Sequence, residues 1–568
     1  MTRNGMSWAL AAAFAAIAST ASAQGSAPAT DAHIQELMQK AAERLGLQVQ
    51  SATSPTQTPT PQASALGTRP NVQLTLDDAV KLALERNLDI SVQRLNPQIN
   101  DIAIARISSI YHPALISTLN TASTTTPVTQ STGGASSAGV PVVNGLSTYT
   151  AGVSQSVPWG GGQFNVALNN NRQTSTSQNS LYNPTFNTNW SGVYTQPLMR
   201  GFSTDITRQS LQVTRISRDI SDVQLRSTIT NTLSNVRNAY WNYVYSVQAT
   251  DVAQQSVNLA DQLVKDNQTR VEVGTMAPID VVTAQSQAAT ARQNLVASQS
   301  AMYTNELTLK RLIVSGTQDP NWNAHLEPVD RPDFRPEAID IASAIRRALS
   351  ERTDLDIAKK DVEANNVTLK YLNDQLKPQA DFVGTYGLVG VGGSQLVFPE
   401  GSAGVNRQPI GSIPGGYGDA LSSLFTTNFP RWTAQVNFSY PLGLSSQQAS
   451  VARARVQLGQ VQAQIRQIEL QVATDVTNAA VTAQSNAERV QAAQAARELA
   501  QKTMEAEQSK FEVGMSTNYN VILTQRDLAT AQINELQAIL NYRISLVELE
   551  RLQQTTLQSS NVTLLTPQ

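Results

Sequence analysis

No cysteine occurs among the 568 residues. An exported protein without cysteine has no disulfides and no thiol for a lipid anchor behind its secretion signal. Long hydrophobic runs are missing too. Beyond the N-terminus no stretch approaches the ~20 apolar residues of a membrane helix. Entry into a membrane would therefore require a closed β-barrel, the other form that satisfies every backbone group in lipid. Charge is sparse, with 15% of residues charged and a formal net charge of −2. That excludes the basic surface of a nucleic-acid binder. The three histidines, His33, His112 and His325, stand in unrelated segments. His112 reads as a junction residue beside Pro113, and the other two as linker residues. No metal-ligand spacing, phosphate loop or nucleophile elbow is present. The glycine-rich run Gly390–Gly393, with no helix following it, reads as a surface loop. The expectation is a protein with no catalytic residues, no metal and no cofactor.

The N-terminus has the pattern of a secretion signal. Arg3 supplies the positive end, Trp8 to Ile17 a short apolar run, and Ala21-Ser22-Ala23 a small-x-small cleavage site. Residues 1–23 are thus the expected signal peptide and 24–70 a leader. Within the leader, Asp31 to Leu47 carries an amphipathic helical pattern, and the Pro/Thr/Gln/Ser-rich stretch from Ser51 to Pro70 reads as a flexible linker.

An internal repeat follows. Val271-Glu272-Val273-Gly274 matches Phe511-Glu512-Val513-Gly514, and the register holds at a constant spacing of 240 residues. Val281 meets Val521, Gln285 meets Gln525, Ala289-Thr290-Ala291 meets Ala529-Thr530-Ala531, and Arg311-Leu312 meets Arg551-Leu552. Upstream, Val236, Asn238 and Ala239 meet Val476, Asn478 and Ala479. The expected units are repeat 1 at 71–320, a linker at 321–336, repeat 2 at 337–555 and a tail at 556–568.

Each copy runs in the same order. A helix (75–111; 337–376) is followed by a strand-rich stretch (113–198; 378–442), a very long helix (205–272; 445–512) and a closing helix (278–313; 518–553). Val451, Ala454, Leu458, Val461, Ile465, Ile468 and Val472 alternate spacings of three and four, the signature of helix-on-helix packing. A helix of this length spans roughly 100 Å, which makes it a rod in a bundle or the wall of a tube. Tyr149–Pro158, Gln163–Asn171, Trp190–Gln196 and Arg431–Tyr440 alternate apolar and polar residues, the weak signature of membrane β-strands. Trp159-Gly160-Gly161-Gly162 signals a tight turn. Thr121–Gly145 and Val389–Gly418 read as exposed loops. Pro113, Pro197, Pro378 and Pro441 mark the passages between helix and strand, because proline cannot continue a helix and biases its predecessor toward extended backbone.

This order, with Gln196-Pro197-Leu198-Met199-Arg200-Gly201 and the runs Arg270 through Val273-Gly274 to Asp280-Val281 and Lys510 through Val513-Gly514 to Asn520-Val521, resembles the TolC-type outer-membrane efflux proteins. The likeness covers about 75–555. It implies a mainly α fold with a transmembrane β region: a homotrimer sharing one β-barrel in outer-membrane lipid, a long α-helical barrel across the periplasm, and a belt midway along it. Independently, four strands cannot close a pore-sized barrel alone, so several protomers must share one. The resemblance further implies a passive conduit of a tripartite efflux or type I secretion system, partnered by a periplasmic adaptor and an inner-membrane pump or ABC exporter. It makes Arg270, Val273, Gly274, Lys510, Val513 and Gly514 the adaptor-contacting tips. Glu272, Asp280, Glu512 and Asn520 become the entrance. As alternatives, each glycine simply ends its helix, Asp280 serves the helix dipole, and the glutamates are solvated. The chain departs from the family's type member, which has acids where Asn520 and Leu523 stand, an arginine at Ser516 and a tyrosine at Phe511. The gate is therefore expected to be held differently. The hairpin at Tyr149–Asn171 is also extra; it either adds strands to the barrel or lies outside it. A trimeric coiled-coil adhesin fits the heptads and the signal, but a stalk needs no duplicated strand region.

Overall fold

A computed structural model describes residues 70–127, 140–177, 180–331, 333–400, 409–427, 429–443 and 445–559. The expected signal, leader helix and linker fall outside these residues, as does 560–568 of the tail. The chain begins with strand β1 (Asn71–Leu74) and helices α1 (Leu76–Arg86), α2 (Leu88–Gln93) and α3 (Leu95–Ser108). The single helix expected over 75–111 is thus broken. Asn87 makes the first break: its backbone is extended and its side chain caps the N–H groups of Asp89 and Ile90, a local bond that competes with helix continuation. Strands β2 (Ala114–Thr126), β3 (Val142–Ser156), β4 (Gln163–Ser175) and β5 (Tyr182–Pro197) follow, then α4 (Ile206–Glu272) and α5 (Pro278–Ile313). A short helix α6 (Pro320–Asn323) and strand β6 (His325–Pro328) bridge to the second copy, so the stretch expected as a linker is partly ordered structure. The second copy comprises α7 (Ile341–Glu351), α8 (Thr353–Asp374), β7 (Gln379–Val397), β8 (Gly411–Ile413), α9 (Tyr417–Phe425), β9 (Pro430–Ser439), α10 (Ser446–Glu512), α11 (Asn518–Leu552) and a last turn α12 (Thr556–Ser559).

The two 67-residue helices α4 and α10 run the whole length of the helical region. Toward the sheet, α3 and α8 flank α4, and α8 also packs on α10. Toward the other end, α5 and α11 flank α4, and α11 packs on α10. The result is one layer, four helices wide at either level. No helix among the described residues is long and apolar enough to cross a membrane.

Midway along α4 the wall thickens. β1 pairs in parallel with β6, Val72 opposite Leu326, and the pair covers a core of Leu74, Val236, Tyr240, Tyr243, Leu309 and Leu326. The Tyr240 hydroxyl donates to Asp330 Oδ2 at 2.7 Å, and the Tyr243 hydroxyl donates to the Leu326 carbonyl. Beneath β6, Lys310 Nζ meets Glu306 Oε1 at 2.8 Å. Glu306 also accepts from the Leu326 N–H at 3.2 Å. Both side chains are buried, and their pairing meets the condition under which buried charge is tolerated. His325, expected in a linker, lies in β6 with Nδ1 3.4 Å from Glu306.

The strands form one antiparallel sheet in the order β2-β3-β4-β5-β7-β9, with β8 on the distal end of β7. The extra hairpin β3–β4 is therefore inside the sheet. Thr121–Thr126 and Val389–Val397, expected in exposed loops, are strand. Register sorts the faces. Leu168 is opposite Trp190, Trp190 opposite Leu388, and Tyr386 opposite Trp432. Thr150, Asn169, Asn189 and Thr433 fall on the other face. One face is thus apolar and aromatic and the other polar, the alternation of a wall between lipid and water.

The glycines read as a surface loop lie within β7. A Cβ on Gly390 would sit 2.1 Å from the Ala420 carbonyl oxygen, and one on Gly392 2.5 Å from the Ala420 nitrogen. Only glycine lets α9 lie against the strand this closely.

Candidate functional site

At the end far from the sheet, α4 turns into α5 and α10 into α11. Both turns close in the same way. Gly274 adopts φ +78° and Gly514 φ +80°. The Gly274 N–H reaches the Val271 carbonyl at 3.0 Å and the Thr275 N–H the Arg270 carbonyl at 2.8 Å. Gly514 and Met515 repeat this against Phe511 and Lys510 at 3.1 and 2.8 Å. This is the Schellman ending, which needs a left-handed residue after the cap. Nothing lies within 4 Å of where either glycine's Cβ would be, so both turns present open surface. Val273 and Val513 are 68% and 70% exposed there. Glu272 and Glu512 end their helices exposed.

The two tips are tied to each other. The Arg270 guanidinium stacks over the Phe511 ring, 4.2 Å from its centroid, and Nη1 donates to the Phe511 carbonyl at 3.0 Å. Buried Asn267 donates through Nδ2 to Asn518 Oδ1 at 2.9 Å, and Asn518 Nδ2 donates to the Asp280 carbonyl at 3.1 Å. Leu263, Ala284, Phe511 and Val521 pack around this bridge. Of the expected entrance residues, Asp280 is drawn into the tie through its backbone. Asn520 stays exposed at the start of α11, its N–H 3.4 Å from Thr517 Oγ1. Lys510 faces its own helix, with Nζ 2.6 Å from Glu507 Oε1. Ser516 donates to Glu507 Oε2 at 2.8 Å. The Lys510 bond first, and then the Ser516 hydroxyl, hold the Glu507 carboxyl below the usual glutamate range. Asn267, Asn518 and Glu507 went unnoticed in the sequence. Asn267 and Asn518 are polar residues without periodicity brought together by the packing of α4 against α11, and Glu507 meets Ser516 only where the turn after α10 folds that residue back onto the helix.

A second cluster sits where helix meets sheet. Pro113 and Pro378 stand immediately before β2 and β7, Pro197 ends β5, and Pro441 follows β9. After Pro197 the chain turns through Gly201, at φ +85°. The Gly201 N–H donates to Asp374 Oδ2 at 2.7 Å, and its carbonyl accepts from Arg208 Nη2 at 2.6 Å. Asp374 also accepts from Ser203 Oγ at 2.8 Å and Lys377 Nζ at 2.5 Å. Burial pushes its carboxyl up, but the Lys377, Gly201 and Ser203 bonds outweigh that and hold it below the usual aspartate range. This one buried carboxylate joins the first copy's junction to the second's. A signal for it was present: an acid in a helix's last turn opposes the macrodipole and calls for a partner.

Among the described residues no group of three or more histidines, aspartates and glutamates is placed to hold a metal.

A family model described as outer membrane efflux protein matches residues 149–314 and 344–553. No curated protein sequence matches the chain. Among solved structures, the outer-membrane channel OprN is similar at 13% identity and TM-score 0.60, over 84% of this chain and 89% of that one. The Campylobacter jejuni CmeC outer membrane channel is similar at 12% identity and TM-score 0.59, over 89% and 94%. The open state of the Neisseria gonorrhoeae MtrE outer membrane channel is similar at 14% identity and TM-score 0.56, over 84% and 88%. At these identities the likeness is one of fold.

Proposed function

The chain belongs to the outer membrane efflux protein family, and on that premise we propose that three copies form a passive duct from the periplasm through the outer membrane. The observation that carries this reading is a protomer left open in matched ways. Among the described residues its sheet has one apolar and one polar face with two unpaired edges, and lipid does not tolerate open edges. Its helical layer has two apolar flanks. On one flank, Val456, Leu470 and Leu499 of α10 are exposed; on the other, Ile99 and Ile102 of α3 and Val296 and Leu307 of α5. Wrapping these flanks around a threefold axis closes a tube of helices, with the sheet closing above it.

In this duct cargo passes through a hydrated lumen without chemical change. No cofactor or catalytic residue takes part, and no nucleic acid is bound. An inner-membrane pump or ABC exporter supplies the energy, and a periplasmic adaptor docks on the tips at Arg270, Val273, Gly274, Lys510, Val513 and Gly514. Glu272 and Glu512 form rings of negative charge at the entrance, with Asp280 and Asn520 on the adjoining helix starts. The Arg270–Phe511 stack and the Asn267–Asn518 bridge hold the closed tip within each protomer.

Deleting the gene is expected to abolish export of one class of cargo or to sensitise cells to a toxic compound. Lysine at both Gly274 and Gly514 is expected to block export while trimers still form: the left-handed backbone costs a side chain roughly 1–2 kcal/mol per site, and no neighbour crowds either site. Normal export in that double variant would remove the adaptor contact from the account. A native mass of one protomer for the purified protein would remove the duct.

A further inference from the structure

We infer that the trimer closes as an eighteen-strand barrel, in which the edge strand β9 of one copy pairs with the edge strand β2 of the next. The inference rests on the trimeric reading above and adds the wall's composition and width.

Three observations carry it. First, β3 and β4 are full members of the sheet. β2 pairs with β3 from Ala114–Ser154 to Thr126–Val142, and β4 with β5 from Gln163–Thr195 to Gln173–Thr185, without interruption. The hairpin shares the sheet's two-faced pattern, with Val153 and Val166 on the apolar side and Thr150 and Asn169 on the polar side. Its tight turn is anchored at the junction, where Gln196 Nε2 donates to the Gly160 carbonyl at 2.7 Å. A Cβ on Gly161 would lie 2.6 Å from the Gly201 carbonyl oxygen.

Second, directions alternate across the sheet: β2 leaves the helices, β3 returns, and so on to β9, which returns to α10. An even number of long strands lets β9 meet the next copy's β2 in antiparallel sense, like every other pair in the sheet. Third, the two edges are equivalent in kind. Every residue of β2 and of β9 is exposed. Leu115 and Leu119 on one edge, and Val436 and Phe438 on the other, continue the same apolar face. Such edges in lipid must pair, and the matching occupant is a second copy of this chain.

Three copies of six long strands make eighteen. At ~4.8 Å between strands and a tilt of ~40°, the backbone diameter is about 36 Å, against about 24 Å for twelve strands. The wall is then about one and a half times as wide as the four junctions per protomer alone would set.

The chain's lack of cysteine makes disulfide trapping clean. One set of variants pairs Thr118→Cys with Thr433→Cys, Gln435→Cys or Asn437→Cys, to trap β2 against a neighbour's β9. A second set pairs Thr118→Cys with Thr150→Cys, and Asn169→Cys with Asn189→Cys, to trap the hairpin in the wall. A third pairs Thr118→Cys with Asn189→Cys or Ser191→Cys, which meet only if the hairpin lies outside it. Variants are oxidised in isolated outer membranes, and trimer content is checked under reducing conditions. The expected result is covalent trimers from the first set, intrachain disulfides from the second and none from the third. Trimers with disulfides in the third set but not the second overturn eighteen strands and leave the duct standing. Absence of any intermolecular product in the first set, with monomers under reducing conditions, overturns both. Cryo-electron microscopy of the unmodified trimer gives an independent count: eighteen strands are expected, and twelve overturn the inference.

Discussion

The two copies of the repeat agree closely in their helices and differ in what lies beside them. α4 and α10 each have 67 residues, and both tips close with the same glycine geometry. At matching positions midway, however, the first copy has Tyr240 and Tyr243 where the second has Ala480 and Ala483, all of them buried. The tyrosines reach the β1–β6 pair and the belt core, whereas Ala480 lets the second copy's own short helix α7 pack close to α10. The strand regions differ more: four long strands in the first copy, against two long strands and a covering helix in the second. Helix length is common to both because neighbouring helices must end together to close a tube. Strand number is free to change in pairs, since an added hairpin returns the chain to the side it left.

The comparison can be broken most severely at the belt. Tyr240→Ala is expected to cost about 3–5 kcal/mol, the range for a large buried side chain truncated to alanine. It should lower the thermal midpoint of the purified trimer far more than Ala480→Gly, for which about 1 kcal/mol is expected. Equal losses at the two positions would show that the belt does not rest on the first copy. Next in size, Gly390→Val puts a side chain where the Ala420 carbonyl stands, and overpacking of this kind costs about 1–3 kcal/mol. The check is faster proteolysis within residues 417–425, with α4 left intact.

Asp374→Asn, which unlinks the two junctions, is expected to cost about 1.5–3 kcal/mol, the range for hydrogen bonds to a charged group. It also has a pH signature. The folded-state carboxyl is held below its ordinary value, so its stabilisation is complete above the unfolded range near pH 4. It fades as pH falls through the lower folded-state value. Melting curves of the wild type and the Asn variant should converge below about pH 4; parallel curves down to pH 2 would take the role away from Asp374. The smallest effect on stability is expected at the tips. Arg270→Ala removes a stack of about 0.5–2 kcal/mol, leaves trimers intact and loosens the closed end.

How far the molecule could be read from its sequence follows from pattern length. The long helices announce themselves because a three-four alternation sustained from Val451 to Val472 has no competing explanation; α4 begins at Ile206, one residue from the expected 205. The apolar–polar alternation located Trp190–Gln196 and Arg431–Tyr440, but not the distal halves of β2 and β7, where Ser, Thr and Gly replace the alternation. Helix α9 was hidden because it is only nine residues long and follows a glycine-rich segment, and the glycines that suggested a loop exist to admit it. The β1–β6 pair was illegible because two four-residue strands meet across some 250 residues of chain. Of the site, the tip glycines and junction prolines were readable because they punish any other backbone. Asn267, Asn518 and Asp374 were not singled out, since their partners are supplied by the fold.

The central claim is a trimeric duct held closed at its tips, and single-channel conductance in planar bilayers tests it most directly. Purified wild-type protein is expected to insert as a low-conductance pore in one orientation-dependent population, and the Arg270→Ala, Asn518→Ala double variant to conduct several-fold more. Trimers that add no conductance in either form, or protein that stays monomeric and silent, would contradict the account.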